Sequence, residues 1–245
     1  GGRVKDRIQV GQSIGIKDVE DAVADAEMYV DEWGFSSIKV KVGKDPEADI
    51  ERTKAIADAV GDRASIRIDA NQGYRADEAI GVFTELEREC DLLLVEQPVS
   101  RHDLAGMTRV SDALTTPVLA DETVFSPHDA TDVVRHEAAD IINIKIMKAG
   151  GLYRSRQIAD IAAGAEMPLA IGSMVEMGVG TAAGAHFAAT QPHAEYPSDV
   201  KGPSLHEASI LDEPVRIEDG FTHVPKGPGL GVTLDEEVVD EYRVE

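Results

Sequence analysis

The chain has 245 residues, enough for one large domain or two small ones, and its 46 acidic against 24 basic side chains leave a net charge of −22. That surface repels nucleic acid and anionic membranes and suits high salt, where screening weakens self-repulsion. Cys90 is the only cysteine, so an internal disulfide and a cysteine zinc cluster are excluded. No apolar stretch is long enough for a bilayer span, and "GGRVKDRIQV" lacks a signal-peptide hydrophobic region. A cytoplasmic, halophilic protein is expected.

In chain order, β-branched runs predict strands at 8–16 ("IQVGQSIGI"), 36–42 ("SSIKVKV"), 64–70 ("ASIRIDA") and 91–97 ("DLLLVEQ"). Others follow at 116–122 ("TPVLADE"), 140–146 ("DIINIKI") and 167–173 ("MPLAIGS"), with a weaker eighth around 196–202 ("YPSDVKG"). Amphipathic segments at 18–33, 49–60 and 152–165 predict helices between them. Strand ends recur roughly every 25 to 30 residues, the length of one strand, helix and loops. Seven or eight such units predict a closed parallel β/α barrel, with a doubly wound open sheet as the alternative. The barrel is placed at 1–205 and a turn-rich C-terminal tail, packed outside it, at 206–245.

In a parallel barrel the active site forms at the C-terminal strand ends. Those ends carry Lys39 and Lys41, then Asp69, Glu96, Asp121 with Glu122, and Lys145. An acid after a strand is more often a helix cap or turn anchor than a ligand, but three in successive units would converge on one volume. Close carboxylates cannot all stay ionised, and a hard divalent cation with all-oxygen ligands, best Mg²⁺, resolves that conflict. Lys39 and Lys41 alternate with Ile38, Val40 and Val42, so both lysines face the barrel interior if the apolar residues face the helices. An exposed edge strand would explain that pair alone, but not Lys145 between Ile144 and Ile146. Lys39 beside Lys41, with a metal nearby, should lower a lysine pKa and free a basic amine. The chemistry that needs this set is proton transfer at the carbon next to a carboxylate, through an enolate.

Taken together, "KVK", "DAN", "VEQP", "ADET" and "NIKIMKAGG", with "IGSMVEMGVGTAAGAHFA" and "GPGLGVTLDEE", resemble the enolase superfamily, specifically its muconate-lactonizing subgroup. The resemblance implies a modified (β/α)₇β barrel and an essential Mg²⁺, with Mn²⁺ as a substitute. By position it makes Asp69, Glu96 and Asp121 metal ligands. Lys41 and Lys145 become acid/base groups on opposite faces, Lys39 tunes Lys41 and helps bind the carboxylate, and Asn71, Glu122 and Asn143 support them. Ser173 stands where the mandelate-racemase branch has a catalytic His, which favours the branch with two lysines. Ser173 and Glu176 are expected to face the substrate.

Two departures matter. Superfamily members carry an N-terminal capping domain over the site, whereas this chain starts just ahead of the first barrel strand, so the cap is expected to be missing from it. Dipeptide epimerases of the subgroup grip the substrate ammonium with Asp-x-Asp, and here the match reads Asp199-Val200-Lys201. Lys201 would repel an ammonium and attract a second carboxylate, which leans toward muconate or chloromuconate cycloisomerisation. o-Succinylbenzoate synthase, N-acylamino acid racemase and dipeptide epimerase are the alternatives within the subgroup. Outside it stand a lysine Schiff-base aldolase through Lys145 and a non-catalytic metal-binding barrel fragment. The resemblance also implies a small carboxylate substrate and a homo-oligomer. "GVGTAAG" follows the seventh strand, so it reads as a helix start and not as a dinucleotide loop.

Overall fold

The computed structural model describes residues 2–244; Gly1 and Glu245, the outer ends of the expected barrel and tail, lie outside the described residues. The chain opens with β1 (Arg7–Gln9), β2 (Gln12–Ile14), α1 (Val19–Asp31), β3 (Ser37–Lys41), α2 (Pro46–Val60), β4 (Ser65–Asp69), α3 (Ala76–Glu89) and β5 (Leu92–Glu96). It continues through α4 (Leu104–Ala113), β6 (Val118–Ala120), α5 (Pro127–Arg135), β7 (Ile141–Ile144), α6 (Ile146–Ala149), α7 (Leu152–Gly164), β8 (Leu169–Ile171) and α8 (Gly178–Ala189). A 3₁₀ turn (Gly202–Leu205), β9 (Ile217–Glu218), β10 (Phe221–His223) and α9 (Glu236–Glu241) complete it.

Strands β2 to β8 form one parallel sheet in sequence order, each pairing with the next. Residues 194–199 bring its two edges together. Ala194 bridges Leu169 of β8, Ser198 bridges Val10 beside β2, and the Asp199 amide donates to Ile171 O at 2.9 Å. The sheet is therefore a modified TIM barrel, and the open doubly wound alternative is set aside. The expected eighth strand is only these few bridges, because Pro197 has no amide to offer a ladder.

The expected first strand, 8–16, splits. β2 enters the barrel, while β1 pairs with β10 and β10 with β9 in a separate antiparallel sheet. Helix α8 starts at Gly178, as the small-residue run suggested, and the later residues Leu211 and Val215 pack against its Ala182.

Alternation along the strands explains the core. Ile38, Val40 and Val42 of the β3 segment are buried with Ala22 and Ala26 of α1 and Ile56 and Val60 of α2. The opposite face points into the barrel. Leu94, Leu119, Ile141 and Ala170, joined by Tyr196, fill one side of that interior with apolar atoms. The side formed by β3 and β4 carries Lys39 and Arg67 instead, 4% and 1% exposed.

The loop after β3 has no room for a side chain. Gly43 has φ +105°, and a Cβ there would stand 2.6 Å from the Ala70 carbonyl oxygen. Gly43→Ala is expected to cost ~1–3 kcal/mol, from overpacking and a disfavoured φ. A urea midpoint within a few tenths of a molar of the native one would contradict this. Asp49 fastens the same loop, accepting from the Gly43, Lys44 and Asp45 amides and from Tyr74 Oη at 2.7 Å. Asp49 also pairs with Arg52, which reaches the Lys41 carbonyl at 2.9 Å. These bonds tie the end of β3 to the loop after β4 and hold the Asp49 carboxyl below the usual range, although burial acts to raise it. Among the described residues no helix is long and apolar enough to cross a membrane.

Candidate active site

The parallel register carries charged side chains to one end of the barrel. Lys41 lies opposite Asp69, and Asp69 opposite Glu96. Glu96 in turn faces Leu119, so Asp121 stands two residues farther along the inward face and just beyond β6. The three acids are thus staggered, not level as the sequence pattern suggested, because barrel closure requires a sheared register. Lys145 likewise sits one residue past β7, at the N-terminal boundary of α6.

An amine takes up each acid. Asp69 pairs with Lys41 Nζ at 2.6 Å and Lys39 Nζ at 3.6 Å. Glu96 accepts from Lys39 at 3.0 Å and from Asn143 Nδ2 at 2.9 Å. Asp121, fully buried, holds Lys145 at 2.5 Å and Lys148 at 2.7 Å. Lys41 Nζ also donates to Asn71 Oδ1 at 2.6 Å, and Asn71 Nδ2 reaches Glu122 at 3.1 Å. Gly172, at the end of β8, stays bare for this site. A Cβ there would lie 2.6 Å from Asn143 Oδ1 and 2.8 Å from Lys145 Cε.

The remaining candidates form the wall between strand ends 8 and 3. Asp199 pairs with Lys39 at 2.5 Å and Arg67 at 3.1 Å, while Lys201 stands 3.8 Å away. Ser173 does not reach the lysines; its hydroxyl donates to Glu176, which also accepts from the Met174 amide at 2.9 Å.

These contacts set the charge states. Burial pushes the Glu96 carboxyl up to about 7, with Asp69 adding and Lys39 opposing. Burial works in the same upward direction on Asp121, but Lys148 and Lys145 outweigh it and hold that carboxyl low. Lys39 is surrounded by acids. Burial would lower its pKa, yet Asp199, Glu96 and Asp69 together drive it up. Lys145 is raised too, as Asp121 and Glu96 overcome burial. The neighbouring acids, not the neighbouring cations, dominate both lysines.

Among the described residues no three acidic, His or Cys side chains stand together as a ready-made metal cluster. The donor set nonetheless fits a hard cation. It is all oxygen, comes from adjacent strands, and contains a buried carboxyl with a raised pKa. Glu122 Oε2 and Asn143 Oδ1 are buried beside it with no hydrogen-bond partner.

Two site residues escaped the sequence reading. Arg67 occupies the inward face one alternation before Asp69, the pattern that singled out Lys39 and Lys41. Lys148 lies one helical turn after Lys145 and clamps Asp121 through both its side chain and its carbonyl oxygen. The short helix α6, directly after β7, carries it there.

The family model for enolase C-terminal domain-like proteins matches residues 21–238. The chain belongs to that family. Its relatives place it in the enolase superfamily's muconate-lactonizing subgroup. It is 37% identical to the L-Ala-D/L-Glu epimerase of Bacillus subtilis over 94% of its length, and 35% identical to muconate cycloisomerase 1 of Rhodococcus opacus over 99%. It superposes on the crystal structure of muconate cycloisomerase from Pseudomonas fluorescens with TM-score 0.96 and 35% identity, covering 100% of this chain and 68% of that one. For the substrate-liganded Bacillus subtilis epimerase the TM-score is 0.91 at 36% identity, covering 94% of this chain and 64% of that one. This family member spans 63% and 65% of the lengths of the two curated relatives.

Proposed function

We propose that this barrel catalyses Mg²⁺-dependent proton transfer at the carbon next to a substrate carboxylate, through an enolate, as a muconate or chloromuconate cycloisomerase-like isomerase. One observation carries the reading: Lys41 and Lys145 stand on opposite flanks of the strands that deliver Asp69, Glu96 and Asp121. A substrate between them meets an amine on either side. Asp69, Glu96 and Asp121 would hold Mg²⁺, or Mn²⁺ in its place, which when bound supplies stabilisation of negative charge on the carboxylate.

The chain's own groups do the rest. In cycloisomerisation one carboxylate oxygen bonds to an alkene carbon and the electron pair moves into the other carboxylate as an enolate. A lysine ammonium then gives its proton to the α-carbon and is left as a neutral amine; the reverse reaction takes that proton back. Lys145, kept charged by Asp121, is ready as donor or as a cation beside the enolate. Lys39, anchored by Glu96 and Asp199, provides a fixed positive charge. Asn71, Glu122 and Asn143 orient these groups. The same arrangement serves o-succinylbenzoate synthesis, N-acylamino acid racemisation or dipeptide epimerisation, and the substrate chooses among them. A Schiff-base aldolase needs a neutral Lys145, which its pairing with Asp121 disfavours. A cytoplasmic, high-salt setting, a homo-oligomer and a capping domain from outside these residues belong to the same reading.

The test is deuterium incorporation at the α-carbon of muconates, N-acylamino acids and dipeptides in D₂O. EDTA is expected to abolish exchange and Mg²⁺ to restore it. Exchange that persists in EDTA, with borohydride trapping a carbonyl substrate on Lys145, would overturn the proposal in favour of an aldolase. Mg²⁺ binding without exchange on any carboxylate would favour a non-catalytic barrel.

A further inference from the structure

Lys148 has no part in the proposed proton transfer, yet its ammonium is fully engaged at the site. Nζ donates to Asp121 Oδ1 at 2.7 Å, to the Asp121 carbonyl oxygen, and to the Asn143 carbonyl oxygen at 3.3 Å. An ammonium has three protons, so these oxygens use all of its donors. The Phe125 ring lies on another side, its centroid 5.5 Å from Nζ.

Lys145 is held more loosely. Among the described residues its ammonium donates only to Asp121 Oδ2, at 2.5 Å, and its side chain is 12% exposed against 3% for Lys148. In the proposed reaction Lys145 must turn from that oxygen to the substrate. Lys148 is thus the fixed partner of Asp121, and Oδ2 is the oxygen that Asp121 can offer a cation. Asp69 repeats the pattern: its Oδ1 accepts from the Asn71 amide at 3.0 Å, while Lys41 sits on Oδ2 at 2.6 Å.

The oxygens under Lys148 are of the kind that separates two hard cations. Mg²⁺ binds through one or two carboxylates and keeps several waters. Ca²⁺ takes roughly six to eight oxygens, bidentate carboxylates and backbone carbonyls among them. Asp121 Oδ1 is such a second carboxylate oxygen, and Asp121 O and Asn143 O are such carbonyls. One buried positive charge covers all three.

We infer that Lys148 sets the cation selectivity of the site: by occupying these three oxygens it holds Asp121 to a single ligating oxygen and disfavours Ca²⁺ relative to Mg²⁺. This deepens the proposed metal site and rests on Asp121 being one of its ligands.

Mg²⁺ and Ca²⁺, each titrated calorimetrically into the EDTA-treated protein, give the affinity ratio without turnover. The native protein should favour Mg²⁺. Lys148→Met keeps a long side chain but uncovers the three oxygens, and is expected to lower the Mg²⁺:Ca²⁺ affinity ratio by roughly tenfold, with Ca²⁺ gaining more. The ratio separates capping from charge, because loss of a nearby cation strengthens both dications alike. Lys148→Gln, which retains a neutral donor, should lower the ratio less, and it carries the test if the methionine variant shows no cooperative urea transition. A ratio within about twofold of the native one in whichever variant folds, or a native protein that binds Ca²⁺ as tightly as Mg²⁺, would overturn the assignment. Two failures are distinct. If neither ion binds the native protein, the metal reading fails and takes this inference with it. If Mg²⁺ binds and the ratio does not move, Lys148 alone is removed.

Discussion

Lys145→Ala and Lys41→Ala are each expected to lower α-proton exchange by roughly 10²–10⁴-fold, the contribution of a positioned acid or base. Both amines are held by carboxylates, Lys145 by Asp121 and Lys41 by Asp69. Removing either amine therefore also frees an acid, so alanine alone does not isolate the proton-transfer role. Arginine does, because it keeps the positive charge but does not give up its proton near neutral pH. Lys41→Arg and Lys145→Arg should lose nearly as much as the alanine variants wherever the lysine moves a proton. An arginine variant that recovers most of the rate would identify that lysine as an electrostatic group only. Losses under tenfold at both positions would remove the lysines from the mechanism. With a chiral substrate the two single variants should also differ in which face they still exchange, since the amines lie on opposite flanks.

Asp199→Leu is expected to destabilise the protein by ~3–5 kcal/mol, because it strands Arg67 as a buried charge with no carboxylate and leaves Lys39 only Glu96 and the more distant Asp69. Burial acts to raise the Asp199 pKa, but Lys39, Arg67 and Lys201 overcome it and hold the carboxyl well below its usual value of 3.8. A carboxyl depressed on folding stabilises the native state above its unfolded pKa, and that contribution is lost as pH falls toward the folded value. The native protein should accordingly lose stability on acidification through the region below about pH 5, and the variant should lose less there. Urea unfolding at several pH values measures both effects. A change below 1 kcal/mol, or parallel acid limbs, would show that the wall does not depend on Asp199. The arrangement has a functional consequence as well. Lys39 is held in place from the strand-8 side, so its contact with Glu96 does not depend on substrate.

How much of this was legible follows from what each signal requires. Ile38, Val40 and Val42 buried against helices, with Lys39 and Lys41 inward, needed only period-two alternation. The same rule, applied to "SIRID", would also have exposed Arg67. Lys148 had no such signal, because its approach to Asp121 depends on the tertiary placement of α6 beside the end of β6. The single strand expected at 8–16 failed for a related reason. Its first half satisfies its amides with β10, more than 200 residues away in sequence, and local pattern carries no trace of such a partner.

By itself the sequence determined the strand–helix alternation, the inward lysines and the ordered acids at the strand ends, because alternation and unit length are local properties. Only the tertiary structure decided which charge answers which. The sheared register set Asp121 apart from Glu96 and paired it with Lys145 and Lys148. Closure of the barrel by residues 194–199 brought Asp199 onto Lys39 and Arg67, with Lys201 farther off at 3.8 Å. A pKa or an ion pair depends on distances of a few ångströms between groups far apart in the chain, and barrel closure sets those distances.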